Sequence, residues 1–157
     1  MLLLLTILLA GCGYSNTALI SRDIKTVAVP IFQNDTFYRG YEFGLTRALV
    51  EEIERKTHLK VVEERDRADT LLTGRITDAY ERVLVEDRAD QTMEKQITIV
   101  INFRWEDLRS GEVIKSRNNF RQTGEYIIPA GETLITAGSE VFGDLAERIV
   151  EQMESDW

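Results

Sequence analysis

A single cysteine, Cys12, is the residue whose chemistry is set most clearly by its neighbours. It follows an apolar run over residues 2–9 and two small residues, Ala10 and Gly11. The run is about 8 residues long, within the roughly 7–15 of a secretory signal and well short of the about 20 that span a bilayer. Small residues before a cysteine are typical of a bacterial lipoprotein signal, after whose removal the cysteine carries lipid. The sequence therefore predicts a signal peptide over residues 1–11 and lipid attachment at Cys12.

The cysteine count agrees with this interpretation. The chain has 1 Cys, so no disulfide can form within it, and a lone cysteine in an exported protein needs another role. Gly13, rather than Asp, follows the cysteine and indicates sorting to the outer membrane. No Lys or Arg precedes the apolar run, which departs from a typical signal. The alternative is an apolar N-terminal strand with a buried cysteine, but a run of leucines without β-branched alternation favours the signal.

Three basic residues, Lys115, Arg117 and Arg121, form the second constellation. They are separated by even numbers of residues in a predicted strand, which would place them on one face. Clusters of this kind recognise phosphate and carboxylate groups. The alternative is a solvated strand whose charges guard against aggregation. The hypothesis is that the three residues contact an anionic glycolipid or an acidic wall of a partner.

No set of residues points to catalysis. The chain lacks a nucleophile motif, a phosphate-binding glycine loop and metal-ligand spacing, and its one histidine, His58, is predicted to be a cation at a helix end. Acidic and basic residues alternate over 63–69, as in a solvated loop. The net charge of −8 argues against a nucleic-acid partner. We therefore predict a protein that is not an enzyme and has no cofactor or metal apart from its covalent lipid.

The elements that position these residues follow from hydrophobic periodicity. Alternation is clearest over 91–107, where every second residue from Ile97 to Trp105 is apolar. After a lipidated tether over 12–23, the pattern predicts a single domain over 24–157. Its strands are predicted at 24–31, 59–63, 70–86, 91–107 and 112–123, and its helices at 38–57 and 133–154. Two helices with one apolar stripe each would cover one face of a mixed, mostly antiparallel sheet, giving an α+β two-layer sandwich.

Several short segments resemble the LPS-assembly lipoprotein family LptE. They are Cys12-Gly13-Tyr14, the stretch over 24–30 with the following Phe32 and Asn34, Gly40 to Glu42, Leu45-Thr46-x-Ala48-Leu49, and 68–76. The resemblance spans essentially the chain after the signal and implies a βαβββα element order. It also implies a protein that sits in the lumen of the outer-membrane β-barrel LptD, helps it fold and binds lipopolysaccharide. Only Cys12 is carried over from the family as a functional residue.

Two other lipoprotein classes share part of this pattern. Val27 to Val29 with Asn34, and Ala68-Asp69 with the stretch 71–74, also resemble activators of peptidoglycan synthases and the curli-secretion lipoprotein. Synthase activators cross the periplasm on long tethers, whereas a tether of about 11 residues reaches at most roughly 40 Å. A barrel partner in the same membrane is therefore favoured. The alternative function is a periplasmic-facing lipoprotein that binds and activates a peptidoglycan synthase or another envelope partner, and a third is a structural lipoprotein with no ligand.

Overall fold

A computed structural model of the protein describes residues 23–86, 92–127 and 134–154, so Cys12 and the predicted signal and tether up to residue 22 lie outside the described residues. Chain order gives β1, β2, α1, β3, β4, β5, β6 and α2, with a short 3-10 turn between β3 and β4. The strands are β1 Thr26–Ala28, β2 Gln33–Asn34, β3 Lys60–Val62, β4 Thr70–Glu86, β5 Thr92–Asp107 and β6 Val113–Ile127. The helices are α1 Tyr41–Lys56 and α2 Leu134–Glu154.

The strands form one mixed sheet in the order β3-β1-β4-β5-β6, with β2 beside β4. The pairs of β1 with β3 and β4, and of β2 with β4, are parallel, whereas β4, β5 and β6 form a long antiparallel meander. The predicted α+β sandwich with helices on one face is confirmed. The observed order, ββαββββα, has two strands more than the βαβββα order that the family resemblance implied.

The odd-numbered residues of β5 form the floor of the core. Ile97, Ile99, Ile101, Phe103 and Trp105 are at most 2% exposed and belong to one apolar cluster with both helices. On α1 the predicted apolar stripe is confirmed, because Leu45, Leu49 and Ile53, which repeat every four residues, are fully buried. Alternation in β5 and the stripe on α1 therefore face each other across a single core.

The two-residue strand β2 lies between the predicted first strand and first helix, where no strand was predicted. Phe32 is buried just before β2, and its ring lies over Gly74 on β4 so closely that a Cβ on the glycine would overlap it. This packing lays Gln33 and Asn34 alongside β4. The turn chemistry is present as well, since the Asn34 side chain accepts a hydrogen bond from the Thr36 amide at 2.9 Å. A long-range contact thus converts part of a turn into a strand.

A β-bulge divides the edge strand β6. Register with β5 shifts between Ile101 and Phe103, and Asn119 takes a left-handed conformation with φ of 53°. The Asn119 amide donates to the side-chain oxygen of Asn102 at 2.9 Å. Two residues of β6 therefore stand opposite one residue of β5, and the alternation of β6 is reversed beyond the bulge.

Side chains cover part of the exposed backbone of β6. Threonine hydroxyls of β4 donate to the carbonyl oxygens of Val100 and Arg104, so the even-numbered residues of β5 direct their backbone carbonyl and amide groups toward β4. The β6 residues opposite them therefore direct their own carbonyl and amide groups away from β5, at the sheet edge. Three of these outward carbonyls accept side-chain hydrogen bonds: Ser116 from Arg117, Arg121 from Arg148, and Thr123 from Gln122.

Candidate ligand-binding surface

The face of the sheet away from the helices is a polar surface built by β4, β5 and β6. Thr73, Arg104 and Ser116 stand directly opposite one another across the three strands, and Arg75 stands opposite Asn102. These side chains share a face because residues directly opposite in a sheet point the same way. They project away from the core to which Phe103 and Trp105 belong. We call this surface the open face.

A shallow depression of about 470 Å³ lies on the open face near the bulge. Thr73, Arg75, Asn102, Arg104 and Ser116 line it together with Gln33, Gly74, Phe103 and Asn118. Seven of these nine lining residues carry hydrogen-bonding side chains, and two of the seven are arginines. Guanidinium and hydroxyl groups side by side are the donors that phosphate and carboxylate ligands use.

Both arginines of the depression already hold an acidic partner. The Arg75 guanidinium contacts both carboxylate oxygens of Asp35 at 2.9 Å, and the Arg104 guanidinium contacts Glu106 at 3.0 Å. The arginine side chains are 47% and 52% exposed. Exposed ion pairs of this kind contribute about 0–1 kcal/mol, so an incoming phosphate can compete for the guanidinium groups.

The three predicted basic contacts do not share a face. Lys115 is opposite Trp105 and only 8% exposed, so it lies on the helix-covered face. Arg117 is on that side too but exposed, with its guanidinium on the neighbouring Ser116 carbonyl at 3.1 Å. Arg121 is opposite Val100 and therefore lies on the open face. The prediction of a shared face is wrong because the bulge adds a residue between Arg117 and Arg121.

Arg121 adds a third guanidinium group to the open face. No ion pair or hydrogen bond holds its guanidinium among the residues that the structure describes. Arg121 stands opposite Val100, which is four residues from Arg104 along β5. The backbones of Arg121 and Arg104 are therefore about 14 Å apart. That separation suits an extended head group carrying more than one anionic group. Alternation in β5 separates Asn102 and Arg104 from the apolar residues, but Arg75 joins them only through the pairing of β4 with β5, which periodicity does not reveal.

The acidic stretch 63–69 contains one residue with a structural role that was not predicted. Asp69 Oδ2 accepts hydrogen bonds from the amides of Lys25 and Thr26 at 2.8 and 3.0 Å, and from the Thr26 hydroxyl at 3.0 Å. The bond from the Lys25 amide, with those from Thr26, holds the pKa of Asp69 below its ordinary value against the opposing effect of burial. Asp69 therefore fastens the start of β1 to the start of β4.

His58 also serves the fold. Its Nε2 lies 3.0 Å from the carbonyl oxygen of Ile24, which requires the hydrogen on that nitrogen for a hydrogen bond. In the described part of the chain, no three His, Cys, Asp or Glu side chains are grouped so that they could hold a metal ion. None of the helices within that part is long and apolar enough to cross a bilayer.

Comparison with known protein families shows to which family the chain belongs. The family described as LptE, lipopolysaccharide-assembly, matches residues 24–156, which is most of the chain. The chain belongs to the LptE family. Members of the LptE family are non-catalytic, outer-membrane-associated lipoproteins of lipopolysaccharide assembly, generally associated with LptD. No curated protein sequence gives a significant match to this LptE-family chain.

Solved structures share the fold at low sequence identity. The uncharacterized lipoprotein B of Nitrosomonas europaea has a TM-score of 0.58 at 14% identity, covering 84% of this chain and 83% of its own. The rare lipoprotein B of Shewanella oneidensis has 0.52 at 14% identity, covering 83% and 95%. A PelC dodecamer from Paraburkholderia phytofirmans also has 0.52 at 14%, covering 82% and 90%. These likenesses show a shared fold.

Proposed function

We propose that this LptE-family protein is an outer-membrane lipoprotein that plugs an LptD-type β-barrel, assists its assembly and binds lipopolysaccharide during insertion into the outer leaflet. The observation that carries the proposal is the family match over residues 24–156. The polar open face fits this role, because a body inside an aqueous lumen needs an exposed surface that is stable in water.

Lipid on Cys12 would anchor the domain. Each buried methylene contributes about 0.8 kcal/mol, so two or more acyl chains give lasting attachment. The predicted tether ends at residue 23, two residues before the Lys25 amide that donates to Asp69. Those hydrogen bonds would connect the tether, through the start of β1, to β4, the longest strand that the structure describes.

The open face would take the anionic head group of lipopolysaccharide. Of the three basic residues singled out in the sequence, Arg121 lies there, with Arg75 and Arg104 as further contacts. Arg121 and Arg104 together would bind groups about 14 Å apart. Arg117 lies on the other side and Lys115 is buried, so we assign them no direct contact with a ligand on the open face.

The partner is tested by purifying the tagged lipoprotein from its native membrane in mild detergent and identifying what accompanies it by mass spectrometry. The proposal expects a large, heat-modifiable β-barrel in near-equal amount. Recovery of a peptidoglycan synthase, or of no barrel, would overturn it.

The ligand surface is tested with charge-matched double variants. Arg104→Ser with Arg121→Ser should weaken lipopolysaccharide binding at least tenfold. Arg67→Ser with Arg109→Ser, which removes the same charge from exposed turns, should change it less than twofold. Unfolding curves that match the parent would show that the fold is intact. Equal effects of the two double variants would refute the open face as the binding surface.

A further inference from the structure

A groove between the first halves of α1 and α2 has a different chemistry from the open face. It has a volume of about 450 Å³, within the roughly 300–1,000 Å³ of small-molecule sites. Tyr41 and Phe142 form its floor, and both are buried. Gly44 and Ala48 form one wall with little side-chain bulk. The interior of the groove is therefore apolar and rigid.

Aromatic contacts fix the floor. The Tyr41 ring stacks on Tyr38 with centroids 5.2 Å apart and meets the Phe142 ring edge-on at 5.1 Å. A Cβ on Gly44 would lie 2.7 Å from the Phe142 ring, so that ring sits directly against the α1 backbone. These rings cannot swing in to close the space without breaking several contacts.

The rim of the groove is charged and exposed. Arg39, Arg47, Glu51 and Ser139 line it. Arg47 is paired with Glu51 at 2.8 Å, and Arg39 lies within electrostatic reach of the Glu42 carboxylate. Within the described residues no hydrogen bond or ion pair involves the Arg39 side chain. The Arg39 guanidinium can therefore bind an anionic group beside the apolar cleft, in competition with Glu42.

Two exposed phenylalanines are close in the chain to residues that line the groove. Phe43, next to Gly44 in the first turn of α1, is 58% exposed, and Phe37, next to the stacked Tyr38, is fully exposed. Apolar groups gathered at one place on a soluble surface mark a binding site.

We infer that this groove takes an acyl chain of lipopolysaccharide, with an anionic group of the head held by Arg39. The inference rests on the proposed function, since it gives the lipid part of the same ligand a site separate from the open face. The apolar floor receives methylene groups, and the exposed phenylalanines cover the part of the chain that leaves the groove. Arg39 keeps its guanidinium in water while its aliphatic part lies along the lipid.

Photocrosslinking of the full chain tests the inference. A benzophenone side chain replaces Ser139 at the groove rim, Glu140 next to it on α2, or Ser116 in the open-face depression. Each protein is irradiated with purified lipopolysaccharide, and in parallel with vesicles of phosphatidylglycerol. We expect lipopolysaccharide adducts at positions 139 and 116 and none at 140.

An adduct at 116 without one at 139 would refute the groove and leave the proposed function standing, whereas no adduct at 139 or 116 would refute lipopolysaccharide binding itself. A position-139 adduct formed only with phosphatidylglycerol would also overturn the inference.

Filling the groove provides a second measurement. Ser139→Trp places a large side chain at the rim without removing a core residue, and should weaken lipopolysaccharide binding at least fivefold. Glu140→Trp puts the same side chain at the next exposed position, outside the groove lining, and should change binding less than twofold. Arg39→Gln should weaken binding about threefold. If Ser139→Trp and Glu140→Trp bind alike, the groove does not hold the acyl chain.

Discussion

The two faces of the β4–β5–β6 meander use the same strands for opposite purposes. On β5, Phe103 and Trp105 are buried under the helices, whereas Asn102, Arg104 and Glu106, which alternate with them, lie on the open face. The helix-covered face excludes water and stabilises the fold. The open face keeps guanidinium and hydroxyl groups in water, where they can exchange partners. Residues that stabilise the fold and residues that are accessible to a ligand are thus separated by a single step along a strand.

The two faces also differ in how well they tolerate amino-acid substitutions. Side chains in a close-packed core have fixed volumes to fill, so each change alters packing. Side chains on the open face form exposed ion pairs that contribute little to folding. Substitutions at neighbouring positions should therefore give very different effects.

Trp105→Ala and Arg104→Ala test this contrast at adjacent residues. Removing the fully buried indole should lower the free energy of unfolding by about 3–5 kcal/mol, through lost burial and an unfilled cavity. Arg104→Ala should change it by no more than about 0.5 kcal/mol. Urea unfolding followed by circular dichroism measures both. A similar loss for the two variants would contradict the division between the faces.

Gly74→Ala tests how tightly the helix-covered face is packed. The added methyl group would overlap the Phe32 ring, and overpacking of this kind costs about 1–3 kcal/mol. Gly143→Ala is the control, because no atom lies within 4 Å of a Cβ added there on α2, and it should stabilise the protein by up to about 1 kcal/mol. Thermal and urea midpoints should thus move in opposite directions, and a shift of the same sign for both glycines would argue against close packing at Phe32.

Asp69→Ala tests the hydrogen bonds that join β1 to β4 at the end of both faces. Loss of the carboxylate leaves the Lys25 and Thr26 amides without their hydrogen-bond acceptor and should lower the free energy of unfolding by about 1–3 kcal/mol at pH 7. Because the folded pKa of Asp69 lies below its unfolded value of about 3.9, this stabilisation is present above that pH and is lost as the pH falls through the folded pKa. Unfolding in urea at pH 7 and at pH 3 should show that the parent loses more stability than Asp69→Asn. Equal losses would show that Asp69 does not contribute through its charge.

Arg148→Ala tests the rim where the two faces meet at β6. Arg148 donates to the Arg121 carbonyl at 2.7 Å and to the Gln122 side chain at 2.6 Å, and lies over the Phe120 ring. Its loss should cost about 0.5–1.5 kcal/mol and expose an edge carbonyl to strand pairing. We expect a concentration-dependent dimer by light scattering after size exclusion. Arg47→Ala, at an exposed helical ion pair, is the control, and matching behaviour of the two variants would show that Arg148 does not protect the edge.

Much of the fold could be predicted from periodicity alone. The alternation from Ile97 to Trp105 indicated the core face of β5, and the repeat of Leu45, Leu49 and Ile53 indicated that of α1. Both signals are local, since each reports which side of one element avoids water. Strand β2 escaped prediction because two residues carry no periodicity and depend on Phe32 packing over Gly74.

The candidate surfaces could be predicted only in part. Lys115, Arg117 and Arg121 were expected to act together because the strand was assumed to alternate without interruption. Nothing in Asn118-Asn119 by itself announces a bulge, which depends on pairing with β5. The groove at Tyr41 and Phe142 joins two helices about 100 residues apart in the chain, so no sequence window contains it.

The class of fold follows from the amino-acid sequence alone, because hydrophobic periodicity in each element indicates which of its residues avoid water. Strand pairing was needed to bring Arg121 to the same face as Arg75 and Arg104 and to bury Lys115. The tertiary structure also decided that Asp69 holds β1 rather than being free in solvent. Those outcomes depend on register and on contacts between distant segments, which form only when the whole chain packs.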